Sequence, residues 1–328
     1  MRKTIYIVFF FCVQGLYAQD PVFTQAFTIP ETINTGFTGA LESTKTGLIH
    51  RSQTIGSSFN VNTQFAFLDT WFDNLNTGIG ISLLNHQETT FSQYNFTQIN
   101  FNYMHAVQLS DTWVFRPSIS VGVGSKDFGF QNLIFEDQIN MFNNSINASS
   151  IDPSVLNASI LFFDFSSSLL FNTERTWVGV TFRHLNKPNI SMIDGNNVPL
   201  DIFMSVHASV ELPLSFLGNY FAKKNSLYVL SNFMKQGTYN RLDLGLQYVY
   251  EQFSLGVITA NNPLKTNDNS QFSNSINTFV GLKWDRFKFS YSYDFNMDKI
   301  GQKGGAHEIL LIYNFENLDR RMKCPSFF

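Results

Sequence analysis

The sequence predicts an all-β fold, a transmembrane antiparallel up-and-down β-barrel of about 14 strands. Three observations predict it: apolar and polar residues alternate over stretches of roughly ten residues, turn-forming residues separate these stretches, and a secretory signal precedes them. The clearest stretch is 287–295, where every second residue is aromatic and the residues between are Lys288, Ser290, Ser292 and Asp294. Because side chains of a strand point alternately to its two faces, one face here suits lipid and the other suits water.

Similar alternation begins near residues 59, 99, 113 and 242. The stretch near 59 sets Phe59, Val61, Phe65 and Phe67 against Asn60, Asn62 and Gln64, and the stretch near 242 sets Leu242, Leu244, Leu246, Tyr248 and Tyr250 against Arg241, Asp243, Gly245 and Gln247. A helical period of 3.6 residues does not produce such sets. We therefore expect the apolar set of each stretch to face lipid.

Composition agrees with a strand-built membrane protein. The 328 residues include 36 Phe and 12 Tyr, 44% of them are hydrophobic and only 14% are charged. The body of the chain nevertheless contains no run approaching the roughly 18 to 20 apolar residues of a membrane-spanning helix. Strands resolve this conflict, since every second residue meets lipid without an apolar run. The formal charge of -3 offers no basic patch, so no nucleic acid partner is expected.

The N-terminus has the features of a secretory signal peptide over residues 1–18. Arg2 and Lys3 precede an apolar run at 5–13, and cleavage is expected after Ala18. The alternative is a lipoprotein signal with Cys12 as the lipidated residue, but bulky Phe11 stands where a small residue is needed. After cleavage Cys324 is the one remaining cysteine, so no disulfide within the mature chain is expected.

The sequence pattern predicts fourteen strands in the barrel region, residues 44–315. They cover 44–52, 56–68, 77–85, 93–107, 112–124, 155–171, 176–185, 201–211, 226–234, 239–250, 253–260, 274–284, 286–295 and 305–315. The long connections follow odd-numbered strands, whereas those after even-numbered strands are mostly tight. This asymmetry is typical of an outer-membrane barrel with long loops outside the cell. The even strand count predicts that both termini are periplasmic, including a tail at 316–328.

A ring of this size is wider than its own side chains can fill, so the lumen is expected to hold water, a plug or a bound segment. Residues 19–43, before the first strand, are the candidate plug, or alternatively a periplasmic segment that reaches a partner. Four tryptophans are expected at the short-turn ends of strands, as part of an aromatic girdle. They are Trp71, Trp113, Trp177 and Trp284.

Four short motifs, taken in order, resemble those of the PorP/SprF membrane proteins of the type IX secretion system. The motifs are the opening segment with Gln19, Asp20, Pro21, Phe23, Gln25, Pro30, Asn34, Phe37 and Gly39, the loop at 133–139, the His184-Leu185-Asn186-Lys187-Pro188-Asn189 segment, and Cys324-Pro325. The resemblance implies a non-enzymatic barrel in the cell outer membrane, with gliding motility among the associated processes. Its implied partners are outer-membrane lipid, type IX secretion components, and a secreted adhesin or sorting-domain protein.

Charged residues that should face the lumen by strand parity are the first candidate site. They are Arg116, Arg183, Arg241, Asp243, Lys288, Asp294 and Glu308. Such a surface either grips a plug or client segment or forms a solvated network that braces a water-filled interior. The sequence leaves both interpretations open.

Two segments are candidates for contacts with a partner or plug. The opening segment contributes Asp20, Pro21, Phe23 and Gln25, and the long loop at 125–154 contributes Phe128, Phe130, Phe135, Asp137 and Gln138. Loops this long are usually functional or disordered, and exposed aromatic residues are costly in a free loop. We expect this loop to fold into the mouth of the barrel or to contact a partner.

Catalytic, cofactor and metal sites are not expected. His105 and His207 lack an obvious triad order with Ser and acidic residues, and residues 267–269 lack a complete calcium-binding loop. The leading hypothesis is a barrel that helps secrete, anchor or present a partner at the cell surface. The rival hypothesis is an outer-membrane porin or solute transporter.

Overall fold

The alternating sequence folds into a closed antiparallel barrel of fourteen strands, which confirms the predicted fold class. The computed structural model describes residues 20–55, 59–89, 93–127, 129, 134–143, 145–147, 150, 159–191, 195–214, 225–263, 273–297 and 304–315. The proposed signal peptide, Phe128, Phe130, Leu133, Cys324 and the tail at 316–328 lie outside these residues. In the described part of the chain, none of the helices has the length and apolar character needed to cross a membrane.

The barrel strands are numbered β1 to β14 in chain order. They are β1 Lys45–Ile55, β2 Phe59–Phe72, β3 Thr77–Thr89, β4 Gln93–His105, β5 Val114–Asp127, β6 Ser159–Asn172, β7 Thr176–Arg183, β8 Phe203–Pro213, β9 Asn225–Gln236, β10 Tyr239–Tyr250, β11 Phe253–Asn261, β12 Ser273–Trp284, β13 Phe287–Asn296 and β14 Ala306–Asn314. Val107–Gln108 continues β4 beyond a break at Ala106, because it also pairs with β5. Ile139–Asn140 and Ser145–Ile146 form a separate small hairpin.

Each strand pairs with its neighbours in the sequence, and β1 pairs with β14 to close the ring. In that closing pair Lys45 lies opposite Asn314 and Ile49 lies opposite Leu310. Closure leaves the barrel without a free sheet edge, so the backbone groups of every strand can be paired within the sheet.

The two ends of the barrel differ. At the long-loop end, odd-numbered strands finish and the connections include 128–158, 184–202, 262–272 and 297–305. At the short-turn end, tight connections follow even-numbered strands; Glu251 and Asp285 take left-handed φ values of 50° and 52° in two of them. The alternation of loop lengths expected from the sequence is therefore present. Residues 214–224 are the longest connection at the short-turn end.

The outer surface carries an apolar belt. Exposed outward side chains include Leu48, Ile81, Phe101, Val121, Leu246 and Ile309. The expectation for β2 was wrong, because Phe65 and Phe67 are buried in the interior while Gln64 and Leu68 are exposed. The cause is an apolar partner inside the barrel, the ring of Phe23, which lies 6.4 Å from the ring of Phe65. The apolar set of this strand therefore faces inward.

Trp177 also departs from the expected girdle. Its side chain is 0% exposed and belongs to the interior cluster, whereas Trp113 and Trp284 are 40% and 67% exposed. Trp71 is half-buried. Within β7, Val178 and Phe182 occupy outward positions, so Trp177 lies on the opposite, inward face. The girdle at the short-turn end thus lacks this residue.

Residues 20–43, called the plug from here on, lie inside the barrel. They form three single-turn 3₁₀ helices, Thr24–Phe27, Pro30–Thr32 and Thr35–Phe37. Two further single turns, Asp73–Leu75 and Glu136–Gln138, lie in connections between strands. The plug starts at the long-loop end, where Asp20 contacts the last residues of β7 and β9, and ends at the short-turn end beside β3. The first described residues therefore lie at the long-loop end and the last at the short-turn end, and the periplasmic location of both chain termini stays a prediction.

Candidate functional site

The plug and the lumen wall share one hydrophobic cluster. Plug residues Phe23, Ala26, Phe27, Ile29, Ile33, Phe37 and Ala40 pack against wall residues that include Ile49, Phe65, Leu170, Trp177, Leu230, Phe279 and Leu310. The indole of Trp177 lies 6.2 Å from the ring of Phe27 and 5.1 Å from that of Phe37. Burying each large apolar side chain contributes about 1.5 to 3 kcal/mol, so this contact holds the plug firmly.

An ionic cluster fixes the first helical turn of the plug. Glu308 accepts hydrogen bonds from the backbone N–H groups of Thr24 at 2.8 Å and Gln25 at 3.0 Å. Arg51 lies 2.6 Å from both Glu308 and Asp294, and Asp294 accepts a hydrogen bond from the hydroxyl of Thr24 at 2.5 Å. The carboxylates thus neutralise the arginine and also satisfy the free N–H groups at the start of the turn.

Polar contacts hold the middle of the plug. Asn34 donates from Nδ2 to the carbonyl of Leu169 at 3.1 Å and accepts a hydrogen bond from the N–H of Gly36 at 2.7 Å. Its Nδ2 also lies 2.9 Å from Nε2 of His207, whose Nδ1 lies 3.0 Å from the hydroxyl of Ser205. These hydrogen bonds give His207 a structural role, and among the described residues they include no carboxylate that would complete a triad.

The plug leaves the lumen through a narrow passage. Gly39 has a left-handed φ of 65°, and a Cβ added to Gly78 would stand 2.0 Å from the carbonyl oxygen of Thr38. Nearby, Glu31 of the plug forms an ion pair with Lys45 at the start of β1. Glycine at position 78 is therefore required by the close approach of two backbones.

At the long-loop end, Asp20 is held by three barrel residues. Its Oδ1 lies 2.9 Å from Nε2 of His184 and accepts from Nε2 of Gln236 at 3.3 Å, and its Oδ2 accepts from Arg183 at 3.4 Å. The backbone N–H of Asp20 donates to Oε1 of Gln236 at 2.8 Å. We call this group of four residues the Asp20 clamp. It ties the beginning of the plug to β7, the loop after it and β9.

Asp164 orients His184 in the Asp20 clamp. The Oδ1 of Asp164 lies 2.9 Å from Nδ1 of His184, so the ring lies between two carboxylates. Burial alone would lower the pKa of His184, but Asp20 and Asp164 outweigh burial and raise this pKa to about 9. Burial would likewise raise the pKa of Asp20, but His184 and Arg183 hold it well below its usual range. The clamp is therefore ionic at neutral pH.

The local sequence after β7 explains how His184 reaches this position. His184 adopts a left-handed φ of 59°, which turns the chain away from the strand. Asn186 then accepts from the N–H of Phe165 at 3.0 Å and donates to the carbonyl of Phe163 at 2.8 Å. The asparagine thereby continues the pairing of β6 where β7 has ended. The His-Leu-Asn motif and the opening Asp20 motif meet in the Asp20 clamp.

The plug leaves part of the lumen unfilled. A cavity that is open to solvent lies between the plug and the wall formed by β2 to β9. Amide and hydroxyl side chains line the wall side, including Gln98, Asn100, Asn102, Ser120 and Ser166. Phe23 and Ala26 line the plug side. Apolar wall residues such as Phe65 and Phe96 and polar plug residues such as Asp20 and Asn34 also line it, so polar and apolar groups are mixed on both sides of the cavity.

The other candidate lumen residues lie on the inner wall. Arg116, Asp243, Asp294 and Glu308 are buried, and Arg183, Arg241 and Lys288 are half-buried. Arg116 donates from Nε to Asn172 at 2.9 Å, and Arg241 lies 2.6 Å from Asp243. Plug residues Asp20, Phe23 and Gln25 are engaged inside the barrel, and Pro21 lines the cavity.

The long-loop candidates take different roles. Gln138 is buried; its side chain accepts from the N–H of Phe135 at 2.9 Å and donates to the carbonyl of Asn147 at 3.0 Å. Asp137 is exposed and accepts from Ser150 at 2.8 Å. These bonds support the small hairpin, whose tip exposes Met141 and Phe142 by 85% and 99%. Among the described residues of this loop, Met141 and Phe142 are the most exposed apolar side chains.

Sequence reasoning missed three important lumen residues. Arg51, Asp164 and His184 were absent from the candidate set, although His184 belongs to a recognised motif. Asp164 stands between Phe163 and Phe165, and a charge between aromatic residues in a barrel strand indicates an inward position. In β1 the alternation is less clear, because Ile49 faces inward on the same side as Arg51. Within the described residues, no group of three or more His, Cys, Asp or Glu side chains is arranged to hold a metal ion.

Comparison with known proteins gives one family. A model described as type IX secretion system membrane protein PorP/SprF matches residues 15–313. None of the curated proteins compared matches the chain.

Solved structures similar to this one include two toluene transporters and a FadL homologue. TbuX of Ralstonia pickettii shares 9% identity at a TM-score of 0.48, over 88% of this chain and 92% of that chain. TodX of P. putida shares 8% identity at a TM-score of 0.47, over 87% and 93%. The FadL homologue of Pseudomonas aeruginosa shares 9% identity at a TM-score of 0.41, over 84% and 90%. At these identities the likeness concerns the fold alone.

Proposed function

This chain belongs to the PorP/SprF family of type IX secretion system membrane proteins, and we propose that it assists the secretion, anchoring or surface presentation of a partner adhesin or sorting-domain protein. It is an outer-membrane β-barrel, and its family is one of secretion-system membrane proteins rather than enzymes. The observation that carries the proposal is the family match, which extends over almost the whole chain. Membership also implies contact with other components of the secretion system.

Two structural features support a role with a protein partner. The plug occupies the lumen from one end to the other, which suits a protein-handling barrel better than a wide diffusion pore. The hairpin tip with Met141 and Phe142 presents apolar side chains at the long-loop end, and such exposure is typical of interaction sites. A partner that binds this tip would bury both side chains.

Deletion of the gene tests the proposal directly. We expect one or more proteins with a C-terminal sorting domain to disappear from the cell surface and to return when the wild-type gene is restored. Surface proteins are quantified by mass spectrometry after cell-surface labelling. Unchanged surface levels of every sorting-domain protein in the deletion strain would contradict the proposal.

The hairpin tip offers a sharper test. We expect the double variant M141S/F142S to be inserted in the membrane normally but to recover less of the partner in pull-downs from solubilised membranes. A matched control is L75S, which changes an exposed leucine in a turn at the opposite end of the barrel. Equal partner recovery with the tip variant, the control and the wild type would remove the tip from the proposal.

A solute channel is the second candidate function, and the solvent-open cavity beside the plug is the observation that favours it. Single-channel recording of the purified protein in planar bilayers separates the two functions. A steady open conductance without any partner would favour the channel. A silent barrel would favour the role in secretion.

A further inference from the structure

The Asp20 clamp has the composition of a binding site for a peptide carboxylate. Arg183, His184 and Gln236 belong to the barrel, whereas Asp20 belongs to the plug. The three barrel side chains place one donor near Oδ2 and two near Oδ1 of the Asp20 carboxylate. The amide of Gln236 in addition accepts the backbone N–H of the same aspartate at 2.8 Å.

We propose that Arg183, His184 and Gln236 form a carboxylate-binding site at the long-loop end of the lumen, that Asp20 is its built-in ligand, and that an aspartyl carboxylate of an entering polypeptide binds there when Asp20 leaves. This inference goes beyond the proposed function and does not rest on it. The geometry of the site alone carries it.

The barrel supports this site from its own wall. Asp164 of β6 holds Nδ1 of His184 at 2.9 Å, and Gln98 of β4 in turn donates to Asp164 at 2.9 Å. The guanidinium of Arg183 lies 4.9 Å from the centre of the Phe203 ring. Arg183 also donates to the plug carbonyl of Thr32. Apart from that last contact, the supports come from strands and stay in place when Asp20 leaves.

Charge and shape favour a carboxylate over a phosphate. Arg183 and protonated His184 supply two positive charges in direct contact with Asp20, and buried Asp164 removes one of them, so a single negative charge balances these contacts. Lys126 also acts on Asp20, but it forms no ion pair with Asp20 among the described contacts. A phosphate dianion would leave excess negative charge in a buried place, which is unfavourable. Gln236 also accepts a hydrogen bond from the backbone N–H of Asp20. Because a free carboxylate has no such N–H group, the site favours a carboxylate that belongs to a peptide.

Asp20 has the advantage of being attached to the barrel. An intramolecular ligand has an effective concentration of roughly millimolar or more, so free carboxylates at lower concentration do not displace it. Removal of the Asp20 side chain should therefore leave the site vacant, so that an added carboxylate can bind to it. The inference can be tested by chemical rescue of such a variant.

The experiment uses the full-length protein in detergent and measures its melting temperature. We expect D20A to melt below the wild type, and sodium acetate to raise the melting temperature of D20A saturably, with a half-maximal effect at roughly 1 to 100 mM. Sodium chloride at the same ionic strength should not do so. N-acetyl-aspartate amide should act at lower concentration than acetate. If D20A does not fold, D20S supplies the same vacant position.

Two variants serve as controls. D20N should show no rescue, since its amide still fills the site, and D20A/H184Q should lose the rescue, since His184 supplies the principal donor. Acetate effects that equal those of chloride in D20A would overturn the inference. Rescue that persists in D20A/H184Q, or rescue by inorganic phosphate as strong as that by acetate, would overturn it as well.

Discussion

Single residues hold the plug by charges that are paired inside the barrel. Glu308 is 0% exposed and binds two backbone N–H groups of the plug as well as Arg51. A buried charge that loses its partner is far more costly than an exposed one. The ionic cluster and the Asp20 clamp are therefore the positions where a single substitution should have the largest effect.

The variant E308Q removes the charge that faces Arg51 while keeping the size of the side chain. We expect the free energy of unfolding in lipid vesicles to fall by on the order of 3 kcal/mol, because Arg51 keeps only Asp294. Denaturant titration followed by tryptophan fluorescence measures this change. The control E251Q, in an exposed turn, should change it by less than about 0.5 kcal/mol. Similar losses in both variants would show that the cluster does not stabilise the fold.

The Asp20 clamp makes stability depend on pH. His184 gains its carboxylate partners on folding, which raise its pKa from 6.5 to about 9, so its contribution is complete below pH 6.5 and is lost as pH rises through 9. Asp20 has a lowered pKa, so its contribution is lost only in strong acid. The charged or titratable groups that act on the pair are Lys126, Tyr94, Asp164 and Arg183.

We therefore expect wild-type stability to fall by roughly 1 to 3 kcal/mol between pH 7 and pH 10 relative to H184Q. Denaturant titrations of both proteins at several pH values measure this difference. Parallel pH profiles for the two proteins would show that His184 does not carry the charge assigned to it.

Individual strands were largely predictable from the period of two in the sequence. The expected strand at 239–250 coincides with β10 Tyr239–Tyr250, and most other boundaries fall within a few residues of those observed. It was harder to predict which side of a strand faces the lipid, as β2 shows. Its inward phenylalanines look like lipid-facing ones, because the pattern of a strand does not reveal whether water, lipid or an apolar plug lies on a given side. The same reason explains why Trp177 faces the plug and does not belong to the expected aromatic girdle.

Strand β10 provides a test of depth along one face. Leu244 and Tyr250 both point outward, with Leu244 near the middle of the strand and Tyr250 at its short-turn end. We expect L244R to cost about 2 to 4 kcal/mol of unfolding free energy in lipid vesicles and Y250R about 0 to 1 kcal/mol. Equal costs at the two positions would mean that the belt is not centred on the middle of the strand.

At the scale of the whole molecule, the sequence predicts a barrel but not the contents of its lumen. For residues 19–43 the sequence left two alternatives open, a plug in the lumen and a periplasmic segment that reaches a partner. Many plug contacts join residues that are far apart in the chain, such as Asn34 with His207, 173 positions apart, and Thr24 with Glu308, 284 positions apart. Such pairs have no local signature, which is why the Asp20 clamp and the ionic cluster could not be read from strand periodicity.

Removal of the plug should change the barrel into a pore. We expect deletion of residues 20–40 to give a steady conductance in planar bilayers, because the segment that fills the lumen is gone, whereas the full-length protein should remain nearly silent. If the deletion variant does not fold, D20A/E308Q loosens the same segment and should give intermittent openings. A closed deletion variant would mean that other residues seal the lumen.

The route of the plug through the lumen has a consequence for assembly. The first residues of the described chain are made before β1, yet their partners Asp294 and Glu308 come from the last two strands. The plug can therefore complete its contacts only once the last two strands are in place, and contacts of such long sequence separation are slow to form. Until the final strand has joined the sheet, the apolar side chains of the plug lack part of the wall that buries them.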